Sequence, residues 1–172
     1  MTFTLKINDA EVQALLNQAV AKLGSPGALM ERVAGTLASV TAQNFAAQGR
    51  PHWLGLQKPG PRRSGGMVLQ DTGRLRDSIV ASHTSDSATI GSNVVYAAIH
   101  QLGGQTKAHV ILPKNKKALA FGGRVVKKVN HPGSKIPARP FLPIDASGNL
   151  QPEAASAIES VVTVYLRSVL GE

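Results

Sequence analysis

The chain has no cysteine among its 172 residues, which excludes a disulfide framework, a thiolate zinc site and a thiol nucleophile. Aromatics are scarce: one Trp, two Tyr and four Phe. No apolar run approaches the roughly 20 residues of a membrane-spanning helix, because Gly, Gln, Asn, Lys or Arg interrupts each candidate, so no membrane partner is expected. The opening MTFTLKINDAEV has neither a basic start nor an apolar centre of signal-peptide length. It reads as mature protein, located in the cytoplasm or in a particle assembled there. The length fits a single domain spanning residues 1–172, since domains typically hold about 100–200 residues. A chain of this size can bury a core without metal or crosslink.

Acid is also in short supply, with 10 Asp and Glu against 19 Lys and Arg, and its distribution is uneven. Residues 1–49 balance to zero, 50–77 carry +4, 78–106 carry −1, 107–139 carry +9 with no acid at all, and 140–172 carry −3. Such a concentration of cations attracts phosphate or an acidic protein surface. Lys114, Lys116, Lys117, Arg124, Lys127 and Lys128 are the candidates for that contact. Only Phe121 stands among them, which is not the regular aromatic interleaving of a base-stacking platform. The plain alternative is a solvated hairpin face.

Asn8 and Glu11 have capping-box spacing, and Val12, Leu15, Leu16, Ala19 and Leu23 recur at helical steps, predicting a first helix closed by Gly24. Ser25-Pro26 restarts the chain, and Leu29, Met30, Val33, Leu37, Val40 and Phe45 stripe a second helix that stops at Gly49. From about 50 to 70 the composition turns to Gly, Pro, Arg and Ser, a long loop that is either functional or ordered by a partner. Trp53, with Leu56 nearby, is its candidate interface anchor, because Trp is enriched at such anchors; folding back on its own domain is the equal alternative. Asp71 or Thr72 is expected to cap a short helix through Ile79. Residues 80–85 and 87–92 alternate as two strands around Ser85-Asp86-Ser87. Ser92 is expected to cap a helix over 93–102 that ends at Gly103-Gly104. AHVILP, ALAF and RVVKKV are further strand candidates, the last two joined at Gly122-Gly123 as a basic hairpin. The Pro-rich stretch at about 130–144 reads as extended and poor in ladder hydrogen bonds. A last helix runs from about Pro152 to Leu170 on Ile158, Val161, Val162, Tyr165, Leu166 and Val169. The fold class is therefore α+β: helices at both termini packed on a mostly antiparallel sheet, with a long Pro/Gly-rich loop and a basic hairpin.

The chemistry available is thin. His52, His83, His100, His109 and His131 never fall three or four apart, so no metal is expected. Nucleotide-binding glycine loops and the acyl-transfer elbow are missing. Most carboxylates lie in or at the ends of predicted helices. Neither a catalytic residue nor a cofactor is indicated.

Four words in fixed order then stand out: W-x-x-L (Trp53, Leu56), L-x-x-T-G-x-L-x-x-S-I (Leu69 to Ile79), V-Y-A-x-I-H-Q-x-G (Val95 to Gly103) and I-P-A-R-P-F-L (Ile136 to Leu142). Over roughly residues 10–170 the chain resembles the Mu-like phage virion morphogenesis family, which belongs with the tail-completion proteins of tailed phages. The stretch PGPRRSGG at 59–66 has no counterpart in that pattern. The resemblance implies a non-enzymatic subunit of the virion neck, assembled in the bacterial host cytoplasm, and related neck proteins commonly form sixfold rings around the DNA channel. On that reading its partners are other copies of itself in a closed hexameric ring, neighbouring neck and tail proteins, and genomic DNA through non-specific contact. Tail terminator and stopper are the neighbouring roles, and a free basic DNA-binding protein is the rival from another class. Trp53, Leu56, Tyr96, His100, Gln101, Arg139, Pro140 and Phe141 are the expected subunit-interface residues, and the six cations named above are the expected contacts to DNA or an acidic neighbour.

Overall fold

In a computed structural model, which describes residues 26–56, 66–121, 123–145 and 147–170, Pro26 opens helix α1 (Pro26–Ala46). Proline suits a first helical position because the N–H it lacks would have no partner there. Leu37, Val40 and Phe45 of the expected stripe are buried, and Ala34, Thr41 and Asn44 are buried with them. Thr41 loses no hydrogen bond by this, since its hydroxyl donates to the Leu37 carbonyl at 2.8 Å. The helix expected over residues 8–23 lies outside the described residues.

At the end of α1 the chain turns through Gln48 and Gly49, both at positive φ, and the Gly49 N–H donates to the Asn44 carbonyl at 2.7 Å. Gly49 is required twice over. Its φ is +97°, and a Cβ there would run into the Trp53 indole. Arg50 folds back along the helix end, donating to the Val40 carbonyl, Gln43 Oε1 and Asn44 Oδ1. A cation at a helix C-terminus complements the carbonyl dipoles.

The short helix α2 (Arg74–Asp77) leads into β1 (Ile79–His83), which pairs antiparallel with β2 (Ala88–Ser92). The expected cap is corrected here: Gly73, in the left-handed region, holds the N-cap position without a side-chain bond, and Thr72 Oγ1 lies 3.4 Å from the Arg74 N–H. Ile79 and Ala81 of β1, with Ala88 and Ile90 of β2, are partly buried, while Val80, Ser82 and Thr89 are exposed. The hairpin packs on α1. Helix α3 (Ala97–Leu102) starts later than its sequence suggests, with Tyr96 at the N-cap; the Ser92 hydroxyl accepts instead from the Val94 N–H, within the preceding turn.

Helix α4 (Pro152–Leu170) has the expected bounds and lies along α1. Tyr165 is buried, and Ile158, Val161, Val162, Leu166 and Val169 are partly buried on the same stripe. Arg32 of α1 stands over the Tyr165 ring, 5.8 Å from its centroid. The core between these elements gathers Phe45, Trp53, Leu75, Val94, Ala97 and Phe141, with Val68, Leu69, Ile79 and Leu142 against it.

The α+β class holds, but among the described residues the strands make four two-stranded antiparallel sheets instead of one. Three of them are successive rungs of one ribbon. Strands β3 (Gly104–Gln105), β4 (His109–Ile111) and β5 (Leu119–Phe121) run out, and β6 (Arg124–Val126), β7 (Val129–His131) and β8 (Lys135–Ile136) return. Gly104↔Ile136 and Ile111↔Val129 share one register. The tip pairs Leu119↔Val126 to Phe121↔Arg124 are offset from it, because residues 112–118 on the outgoing side face only Lys127 and Lys128 on the return. The RVVKKV run is thus two strands split at its lysines. The Pro-rich segment carries β7 and β8, so it is less ladder-poor than its prolines suggest.

Candidate assembly site

Residues 139–144 form a strap held at five backbone groups by side chains from distant parts of the chain, while its Arg139 N–H donates to the His100 carbonyl and its Pro143 carbonyl accepts from the Gln151 N–H. Asn44 Nδ2 donates to the Phe141 carbonyl at 3.1 Å and to Gln151 Oε1 at 2.8 Å. Gln101 Oε1 accepts from the Phe141 and Leu142 N–H groups, both at 2.9 Å, while its Nε2 donates to the Ile144 carbonyl at 2.9 Å. Trp53 Nε1 donates to the Pro140 carbonyl at 2.9 Å. Arg139 crosses the other way, giving Nε to the Leu54 carbonyl at 2.8 Å and Nη2 to that of Gly55 at 3.2 Å. Gln151 Nε2 closes the circuit on the Arg50 carbonyl at 3.0 Å. Phe45 lies between the two rings beneath, edge-on to Trp53 at 5.7 Å and tilted on Phe141 at 5.5 Å between centroids. Pro140 and Pro143 lie within this strap and deny it a ladder, so buried side-chain amides serve as its main hydrogen-bond partners. Gly103 admits it: at φ +73° a Cβ there would stand 2.8 Å from the Ala138 nitrogen.

Above this knot lies a cleft of about 400 Å³, lined by Leu56, residues 66–75, Tyr96, His100 and Arg139. Each of the four sequence words contributes to it. Arg139 reaches its floor only 7% exposed, and burial lowers its pKa from the ordinary arginine value. His100, edge-on to Tyr96 at 5.8 Å, is partly buried, and its Nδ1 has no hydrogen-bond partner. Burial first and the Arg139 charge second hold the imidazole below its ordinary pKa, so it is neutral at pH 7. The rim is apolar and wet: Leu56, Met67 and Tyr96 are exposed, and Val95, adjoining Tyr96, is 98% exposed.

The expected interface residues therefore divide. Trp53, at 4% exposure, Gln101, Arg139 and Phe141 are spent on their own chain, and Pro140 is partly buried between them. Within the single chain the Trp53 end of the loop and the 139–144 strap are bonded to each other, the alternative in which Trp53 folds back on its own domain; residues 57–65 of the loop lie outside the described residues. Leu56 and Tyr96 remain on the surface and His100 lies between core and surface. The six cations are all exposed, and among the described residues none is in an ion pair. Among the described residues no helix is long and apolar enough to cross a membrane, and no three His, Asp or Glu side chains are gathered for a metal ion.

A knot and cleft built jointly by words so far apart in sequence point to a shared family architecture. The description of the phage virion morphogenesis family matches residues 7–167. The chain belongs to this family. It is 35% identical over 139 residues to Mu-like prophage FluMu G protein 2 of Haemophilus influenzae, covering 80% of this chain and 81% of that protein. No solved structure matches it. Membership gives the chain a part in phage virion morphogenesis, and the geometry explains the family words: Trp53, Gln101, Gly103, Arg139 and Phe141 hold the strap, while Leu56, Thr72, Tyr96 and His100 shape the cleft.

Sequence reasoning missed Asn44, Arg50 and Gln151. One signal was present. Asn44 sits in the apolar stripe beside Phe45, a position where an amide must find a partner.

Proposed function

We propose that this chain is a non-enzymatic structural subunit of a tailed-phage virion, acting at tail completion in the neck. It forms a closed homo-oligomeric ring, a hexamer, at the head–tail junction, where it joins tail to connector. Terminator and stopper are the adjacent positions in the same neck. One observation carries the reading: the family words converge on a cleft whose rim leaves Leu56, Met67, Val95 and Tyr96 in water. Clustered apolar groups at one place on a surface mark a protein contact. A closed ring requires that such a patch meet a different patch on the next copy.

The test is Leu56→Asp, which places a charge on the rim without entering the core. Tailless or leaking particles on complementation, with the purified variant as stable to urea as the parent, are expected. Normal particle yield and tail attachment would overturn the reading.

A further inference from the structure

We propose that the ribbon from Gly104 to Ile136 is a contact for duplex DNA that recognises phosphate and not sequence. It carries Lys107, Lys114, Lys116, Lys117, Arg124, Lys127, Lys128 and Lys135, and no Asp or Glu lies anywhere along it. The offset between the middle and tip ladders concentrates this charge. Residues 112–118, with three of the lysines, lie opposite Lys127 and Lys128, so five cations share one level of the ribbon. All five are exposed, and no carboxylate in the described residues neutralises any of them. None of the described side chains between Gly104 and Ile136 is buried, so the ribbon is not using this face to hold its own chain together.

The shape fits the same partner. The paired rungs on either side of this level, with strands about 4.8 Å apart, are narrow enough for a major groove of roughly 12 Å, and the unpaired residues 112–118 carry their lysines between them. Lysine dominates the set, and a lysine ammonium is a strongly hydrated point charge that meets phosphate without demanding one geometry. Reading base edges falls mainly to bidentate arginine, and Arg124 is the ribbon's single arginine. A second ribbon is a poor partner, since like charges at this density repel. The inference rests on the ribbon alone and stands or falls independently of the ring.

The experiment uses the full chain and a labelled mixed-sequence 25-base-pair duplex, with binding read by anisotropy in 50 and 200 mM NaCl. Each phosphate contact contributes about −0.9 to the slope of log affinity against log salt. Five contacts therefore predict a slope near −4.5, a loss of roughly 500-fold across that range. Changing Lys114, Lys116 and Lys117 together to Gln is expected to reduce the slope by about 2.7, with unchanged urea stability. The same three changed to Arg should bind like the parent, and unlabelled duplexes of different sequence should compete equally. Absence of binding at 50 mM salt, or a triple Gln variant that binds with the parent's affinity and slope, overturns the proposal. Retention on polyglutamate without DNA binding overturns it in favour of an acidic protein surface.

Discussion

Replacing Gln101 by Met keeps roughly the same volume and removes every hydrogen bond its amide makes. The Phe141 and Leu142 N–H groups and the Ile144 carbonyl then lose their partner; Phe141 is buried, and Leu142 and Ile144 are partly buried. Each buried group left unsatisfied costs about 1–3 kcal/mol, so losing all three should make the variant less stable by roughly 3–9 kcal/mol, toward the lower end because two of them are only partly buried. That is a large share of the ~5–15 kcal/mol that typically separates folded from unfolded. Urea denaturation measures it as a lower midpoint at unchanged slope. The chain's one Trp supplies a local readout, because Trp53 Nε1 is bonded to Pro140, next to the affected residues. Its emission in the folded variant should shift to the red as the strap loosens. A loss under about 1 kcal/mol with parental emission would refute the assignment of Gln101 as the strap's main clasp.

Gly49→Ala should cost about 2–4 kcal/mol, since it combines a positive φ with a Cβ inside the Trp53 ring. Gly35→Ala on the same helix, where nothing lies within 4 Å, should add up to about 1 kcal/mol of stability; urea midpoints of the two variants test both signs. His100 should titrate below the ordinary value of 6.5, as followed by the NMR shift of its ring proton. The unfolded chain then binds the proton more readily than the folded one, so stability should fall as pH drops below about 6.5. His100→Gln should flatten that fall.

Sequence pattern was enough for α1, α4 and the β1–β2 hairpin, because each answers to a local cause: Pro26 at a first turn, the Val161-to-Val169 stripe, and alternation broken at Ser85-Asp86-Ser87. That the strap would lack a ladder was equally legible from its prolines. Its partners were not, since Asn44 reaches Phe141 across 97 positions and nothing local specifies that pairing. For the same reason Trp53 read equally as surface anchor and core residue. The split of RVVKKV at Lys127 and Lys128 was hidden because strand propensity runs unbroken through Val125, Val126 and Val129, and only the facing residues 112–118 decide where the ladder stops. The four words located the candidate site, yet which of their side chains face inward depended on tertiary contact.

The account's central claim is that the strap is ordered by its own chain while the cleft rim and the ribbon are kept for partners. Amide hydrogen exchange, compared between the purified chain and the chain within assembled particles, tests it most directly. The account predicts that Arg139, Phe141 and Leu142 amides are protected in both, and that residues around 104–131 and the 66–75 rim gain protection only in the particle. Fast exchange of the strap until assembly, or no change in the ribbon and rim, would contradict it.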